Sequence, residues 1–207
     1  MKILIIGATS RTGRLLVDQA SARGHQVTLF CRSASRVPEA QRALPTFTGD
    51  ARSEADLGPA LKGQDAVVCI LQADDTGPTR LVSDAMLALC PAMRAAEVGR
   101  VVLLSARPVL AATPAWIMTL LWLWLRNAYR DLARAEGVLE GSGLDWRIAR
   151  PGRLTDGPAK GRYETEEDPL DSTRARDLSR ADLAAALLDL TEAEAPAHRA
   201  IGLGGAG

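Results

Sequence analysis

Met1–Gly13, MKILIIGATSRTG, decides how the rest of the chain is read. Ile3 to Ile6 is a continuous apolar run with no polar face, the pattern of a parallel strand covered on both sides. A turn bounded by glycines follows at once: Gly7, Ala8, Thr9, Ser10, Arg11, Thr12, Gly13. Arg14 to Arg23 then carries Leu15, Leu16 and Ala20 at helical spacing. Strand, tight turn and helix in succession are the setting in which a dinucleotide phosphate is held. Gly7 lets the chain leave the strand in a conformation a side chain would strain, and Gly13 lets the helix sit close to the sheet. The open N–H groups of Thr9 to Gly13 and the positive helix end then face a pyrophosphate. The usual spacing is G-x-x-G-x-x-G, and Ser10 stands where the middle glycine belongs. Its Cβ narrows the approach of a phosphate to the backbone, while its hydroxyl can donate. The competing reading is a strand–helix turn that binds nothing.

Working outward, strand and helix patterns alternate. Strands are predicted at Val27 to Cys31, Thr46 to Thr48, Ala66 to Leu71, Val101 to Ser105 and from Trp146 to Ala149. Helices are predicted at about Thr12 to Ala22, Ala55 to Lys62, Thr79 to Glu97, Ala115 to Gly141 and Arg180 to Thr191. That order implies an α/β fold, a doubly wound Rossmann sheet with the ligand over the carboxyl ends of its strands. The 207 residues suit a single domain, with residues 151–178, rich in Gly, Pro and charge, as a substrate-side loop or small lobe.

The end of the second strand bears on the choice of cofactor. NAD enzymes place an acid there for the ribose 2′-OH, whereas NADP enzymes place arginine near the 2′-phosphate. Here Phe30-Cys31-Arg32 is followed by Ser33, Ser35 and Arg36, with no acid between Asp18 and Glu39. Arg11 in the glycine turn is placed to close the same pocket. A forked guanidinium suits phosphate, so the pattern predicts NADP(H) in preference to NAD(H). The alternative is three solvated arginines in a chain with 25 basic residues, all but Lys2, Lys62 and Lys160 being arginine.

Several segments occur in a telling order: GATSRTG, RGHQVTLFCRSASRVP, Gly49-Asp50, GQDAVV at Gly63 to Val68, VVLLSA at Val101 to Ala106, and SGLDWRIARPGRLTD at Ser142 to Asp156. Together they resemble the atypical short-chain dehydrogenases, in particular the NAD(P)H-binding, NmrA-like group that includes biliverdin reductase B (flavin reductase). The resemblance covers most of the chain and implies a Rossmann fold. It also implies that Asp50 approaches the adenine, that Leu71 and Gln72 line the ribose path, and that Ser105 and Pro151-Gly152-Arg153 flank the nicotinamide.

The Tyr-x-x-x-Lys dyad of that superfamily, in which lysine lowers the tyrosine pKa, cannot be formed. Tyr129 lies in the expected helix, but Ala133 occupies the lysine place, and no Lys follows a Tyr by four. Tyr129 and Ser105 are the remaining catalytic candidates; Ser105 is placed to bond a carbonyl or the nicotinamide amide, or simply to cap the next turn. Hydride transfer needs no protein base when the acceptor draws its proton from water, as flavins, quinones, enones and imines do. The expected function is an NADPH-dependent reductase acting on a planar or conjugated small molecule. The rival is a redox sensor or scaffold that binds NADP(H) without turnover.

Val109 to Leu125 lacks charge, and Trp116 to Leu125 reads WIMTLLWLWL. A spanning helix needs ~20 apolar residues, and Pro114, Arg126, Arg130 and Arg134 argue against one. Core packing or a homodimer face is the plain reading. A wall over the nicotinamide, with Arg107, Trp116 and Trp122 lining the substrate pocket, is the sharper one. Helical positions i and i+2 diverge by about 200°, so Trp122 and Trp124 are expected in different surroundings.

Other classes are disfavoured. Lys plus Arg and Asp plus Glu are equal at 25 each, so no global field draws nucleic acid. Cys31, Cys69 and Cys90 read as buried, reduced thiols, and His25 and His198 are too few and too distant for a metal site. A strand at the N-terminus, in place of a signal peptide, predicts a cytoplasmic enzyme.

Overall fold

The computed structural model describes residues 1–72, 77–106, 115–167, 177–194 and 198–206, the side chains of residues 115–124 apart. β1 (Lys2–Ile6) leads into α1 (Arg11–Ala22), and the alternation continues with β2 (Gln26–Cys31), β3 (Thr46–Thr48), α2 (Glu54–Leu61), β4 (Ala66–Cys69) and α3 (Leu81–Ala95). Then come β5 (Arg100–Leu104), α4 (Ala115–Glu140), β6 (Asp145–Pro151), β7 (Leu154–Thr155), β8 (Tyr163–Glu167), β9 (Leu178–Ser179), α5 (Arg180–Glu192) and β10 (Arg199–Gly205). The main sheet has the order β3-β2-β1-β4-β5-β6-β10-β8. All its pairs are parallel except β10 with β8.

β1 shows why an unbroken apolar run is needed. Ile3 and Ile5 pack on the face covered by Leu16 and Val17 of α1 and Leu183 and Leu187 of α5. Leu4 and Ile6 pack on the other face, against Leu57 of α2, Met86 of α3 and Leu139 of α4. Successive strand residues point to opposite faces, so with both faces covered every position must be apolar. Register carries the geometry forward. Ile6 lies beside Phe30 and Cys69, Cys31 beside Thr48, Cys69 beside Leu103, and Leu104 beside Ala149. The turns after β1 to β6 therefore emerge along one edge.

The predicted helices and central strands are present with ends shifted by one or two residues, β4 stopping at Cys69 rather than Leu71. The C-terminal quarter differs. Within residues 151–178, β7 pairs with β9 in a separate two-stranded ribbon, and β8 joins the edge of the main sheet beside β10. β8 reads YETEE and β10 RAIGLGG, so neither has the apolar alternation or run that announces a strand. They exist because each finds a partner ladder.

α3 begins at Leu81; its N-cap residue Arg80 makes no side-chain cap, and Thr79 Oγ1 accepts from Leu81 N–H at 3.2 Å. The next two amides are met from another helix. Asp131 of α4, 1 % exposed, accepts from Val82 N–H at 2.9 Å, Ser83 N–H at 3.1 Å and the Ser83 hydroxyl at 2.5 Å. A carboxylate on a helix N-terminus is favoured by both the open donors and the dipole. Asp131→Ala leaves those donors buried, and we expect it to cost about 1–3 kcal/mol. Urea unfolding measures this; Asp131→Asn, which keeps one acceptor, should lose less. Equal stability of Asp131→Ala and wild type would remove the cap from the account.

Candidate cofactor and active site

The glycine turn is built by close contact. Gly7 has φ +89°, and its N–H donates to the Phe30 carbonyl at 3.3 Å. A Cβ on Gly13 would stand 2.5 Å from the Gly7 carbonyl oxygen and 2.6 Å from that of Ala8, so α1 rests directly on the turn. Ser10 is the N-cap of α1, its Oγ accepting from Gly13 N–H at 3.0 Å. The hydroxyl hydrogen is thereby left to donate outward, and Arg11 and Thr12, the first two helical residues, have N–H groups without intrahelical acceptors. These donors at a positive helix end, in a turn with no room for a Cβ at Gly13, fit a dinucleotide pyrophosphate. Thr9 lies within the same turn, its carbonyl accepting from Arg14 Nε at 3.2 Å.

Arg11 is placed differently from the expectation. Its guanidinium donates to Asp156 Oδ2 at 2.9 Å, and Arg180 donates to Asp156 Oδ1 at 2.6 Å. Arg11 thus faces the segment after β7 rather than the end of β2. Both partners are exposed, so the pair is worth about 0–1 kcal/mol.

At the end of β2, Arg32 and Arg36 are exposed; Arg36 closes a short 3-10 turn, Ala34–Arg36, and Ser33 Oγ and Ser35 Oγ lie 2.8 Å apart. Because Cys31 lies beside Thr48, and Gly49 N–H donates to Cys31 O at 3.1 Å, this turn adjoins Gly49 and Asp50 after β3. Asp50 is gripped by Arg52, with Nε to Oδ1 at 3.0 Å, Nη2 to Oδ2 at 2.6 Å and Arg52 N–H to Oδ1 at 3.0 Å. The Arg52 guanidinium, then its N–H, and more weakly the charge of Arg32, hold the Asp50 carboxyl at about 2. Leu71 and Gln72 follow β4 on the same edge, Leu71 partly buried and Gln72 exposed.

Ser105 directly follows β5 at 2 % exposure, its N–H donating to Ala149 O at 2.8 Å. Pro151 ends β6 and is buried; Gly152 N–H donates to Leu203 O at 3.2 Å, and Arg153 pairs with Asp177 at 3.3 Å. Tyr129 lies on α4, partly buried and hydrogen-bonded or otherwise paired. Register therefore brings Gly7, Arg32, Asp50, Leu71, Ser105 and Pro151 to one edge. Arg107 lies outside the described residues, and Trp116 and Trp122 outside the described side chains, so the substrate-pocket expectations rest on the sequence.

Asp182 anchors the Lys160–Gly161 segment between β7 and β8 and was not foreseen. Burial works to raise its pKa, but the N–H of Lys160, the Ser179 hydroxyl and the N–H of Gly161 outweigh it and hold the carboxyl below its ordinary range. A carboxyl depressed on folding stabilises above its unfolded pKa and loses that contribution as pH falls through the folded value. The stability gap between wild type and Asp182→Asn should be full at neutral pH and close on acidification. A gap that widens in acid would show that the charge is not what the segment uses.

The lysines and histidines lie elsewhere. Lys2 and Lys62 line an open groove of about 590 Å³ with His25 and Gln64 at the opposite edge of the sheet. Lys160 Nζ meets the Ala206 carbonyl at 3.4 Å. His25 pairs with Glu192 at 2.7 Å, and His198 meets the Leu144 carbonyl at 2.8 Å while stacking edge-on against Trp146. The three cysteines are buried and free, burial pushing Cys69 up to about 12. Among the described residues no helix is long and apolar enough to cross a membrane.

A doubly wound sheet with this cradle defines a dinucleotide-binding Rossmann protein. Within that class the chain belongs to the family described as NAD(P)H-binding, which matches residues 7–194. It is 29 % identical over 217 residues to oxidoreductase stcQ of Emericella nidulans, covering 92 % of this chain and 77 % of that protein. It superposes on a short-chain dehydrogenase/reductase from Veillonella parvula solved with NADP, at TM-score 0.83 and 20 % identity over 100 % of this chain and 95 % of the other. It also superposes on ChuY, an anaerobillin reductase from Escherichia coli O157:H7, at TM-score 0.82 and 23 % identity, covering 99 % and 97 %.

Proposed function

We propose that the chain uses NADPH in preference to NADH and reduces a planar or conjugated small molecule of the flavin, quinone, enone or imine type. The observation that carries the acceptor class is the chemistry around Tyr129. Ala133 stands one turn on, and Lys2, Lys62 and Lys160 are all placed away from α4. With no ammonium beside it, a tyrosine phenol is a poor proton relay for an alcohol or ketone. Acceptors whose developing charge is delocalised, and which take a proton from water, do not need one.

The residues divide the work along the edge. The Thr9, Arg11 and Thr12 N–H groups, the Ser10 hydroxyl and the α1 N-terminus, with Gly13 keeping the turn close, face the pyrophosphate, Arg32 and Arg36 take the 2′-phosphate, and Asp50, Leu71 and Gln72 border the adenosine half. Ser105, Pro151, Gly152 and Arg153 flank the nicotinamide and exclude water from one side of it, with Ser105 and Tyr129 as hydrogen-bonding groups toward cofactor amide or substrate. When bound, the reduced nicotinamide supplies a hydride, and acceptor plus hydride plus a solvent proton gives the two-electron-reduced product. Pairing of two copies through the tryptophan-rich part of α4 belongs to the same reading, and light scattering at assay concentration tests it.

The experiment is oxidation of NADPH, followed by loss of its reduced-nicotinamide absorbance, against a panel of flavins, quinones, enones and imines. Turnover of one of these supports the reading. Tight NADPH binding with no turnover on any, together with cofactor-dependent capture of a protein partner, would favour the sensor instead.

A further inference from the structure

Arg52 is held more firmly than an exposed surface arginine needs to be. Its side chain is 53 % exposed, yet three contacts from Nε and Nη2 lock it to both oxygens of Asp50, and its own N–H donates to Oδ1. The turn beneath is also fixed. Asp56 Oδ2 accepts from Asp50 N–H at 2.8 Å, and a Cβ on Gly49 would meet the Asp56 side chain at 2.7 Å, so only glycine permits that approach. An exposed ion pair of this kind adds little stability. What it does supply is orientation: the guanidinium is fixed with one edge on Asp50 while about half of the side chain stays exposed. The flat faces of a guanidinium are weakly hydrated and stack on aromatic rings.

The position sets what ring is available. Arg52 follows β3 at the edge that gathers the cofactor residues, two residues beyond the Gly49–Asp50 turn that adjoins Arg32 and just before Ser53, the N-cap of α2. It therefore stands between the end of β3 and the start of α2.

We propose that Arg52 walls the adenine pocket, its guanidinium plane stacking on the adenine ring while Asp50 fixes the orientation of that plane. This rests on the reading of the strand ends as a nicotinamide-dinucleotide site, with Asp50 at its adenosine half. It makes Arg52 a determinant shared by NADPH and NADH, distinct from the 2′-phosphate arginines.

Calorimetric titration of wild type, Arg52→Ala and Arg52→Lys with 5′-AMP, NADH and NADPH tests it. Arg52→Ala should weaken all three by the same factor, about five- to tenfold for a lost stacked cation. Arg52→Lys, which restores charge but not a flat face, should not recover it. Thermal melting within a degree or two of wild type is expected for both variants, since the pair is exposed. Unchanged 5′-AMP affinity, full rescue by lysine, or a loss confined to NADPH would each overturn the proposal, the last by making Arg52 a phosphate ligand. Equal wild-type affinity for NADPH and NADH would defeat the NADPH preference while leaving the stacking test intact.

Discussion

Arg32→Ala is expected to weaken NADPH by about 1.5–3 kcal/mol, the worth of a charge-assisted hydrogen bond, and to leave NADH nearly unchanged. That corresponds to a loss of roughly ten- to a hundredfold in affinity. The expectation follows from position. Arg32 is the first residue beyond β2, exposed, and one register step from the Gly49–Asp50 turn. No carboxylate follows β2 before Glu39 to accept from a ribose 2′-OH. The effect should shrink in high salt, because two exposed charged partners are screened. Fluorescence titration with both cofactors decides it. Wild-type affinities that are equal, or a variant that loses NADH and NADPH alike, would remove the 2′-phosphate role from Arg32.

Gly13→Ala should be the more damaging change. The atoms a Cβ would meet are the backbone of Gly7 and Ala8 at 2.5 to 2.7 Å, and backbone cannot swing aside as a side-chain tip can. α1 would have to lift from the turn, breaking the bond from Gly13 N–H to Ser10 Oγ and misplacing the Arg11 and Thr12 N–H groups. Overpacking of that kind costs about 1–3 kcal/mol of stability. Losing two charge-assisted bonds to a pyrophosphate should reduce cofactor affinity by roughly a hundredfold or more. Gly58→Ala is the control: it lies within α2 with nothing within 4 Å of the added Cβ, and it should be neutral or slightly stabilising. Denaturant midpoints and NADPH titration on the two variants measure both effects. A Gly13→Ala protein that bound NADPH like wild type would mean that the contact between α1 and the turn does not shape the site.

Which parts of this molecule were legible in the sequence follows from how far each interaction reaches along the chain. β1, the glycine turn and α1 are contiguous, and their signals are local: an apolar run too long to be one-sided, a glycine at φ +89°, and a glycine under a helix. The same holds for the other central strands, whose two covered faces demand unbroken apolar stretches. Ser10 was legible only as a departure from a glycine pattern; its cap on Gly13 N–H needed the turn in three dimensions. Arg11 is legible as a residue of the glycine turn placed to close the pocket at the end of β2; that Asp156, 145 residues away, meets its guanidinium needed the fold.

Sequence by itself determined the layered sheet, the edge that gathers the candidate residues and the family of the chain, because period and turn chemistry are written in neighbouring residues. Tertiary structure alone decided how the far segments close on that frame. β10 is a strand because β6 and β8 ladder it on both sides, and β8 because β10 offers it an edge, not because YETEE or RAIGLGG favours extension. Asp131 caps α3 from another helix, Arg52 is locked by Asp50, and Asp182 gathers the N–H groups of Lys160 and Gly161. A side chain's partner is set by which atoms the fold brings within about 3 Å, and for most of these groups the partner comes from a distant segment that no local pattern records.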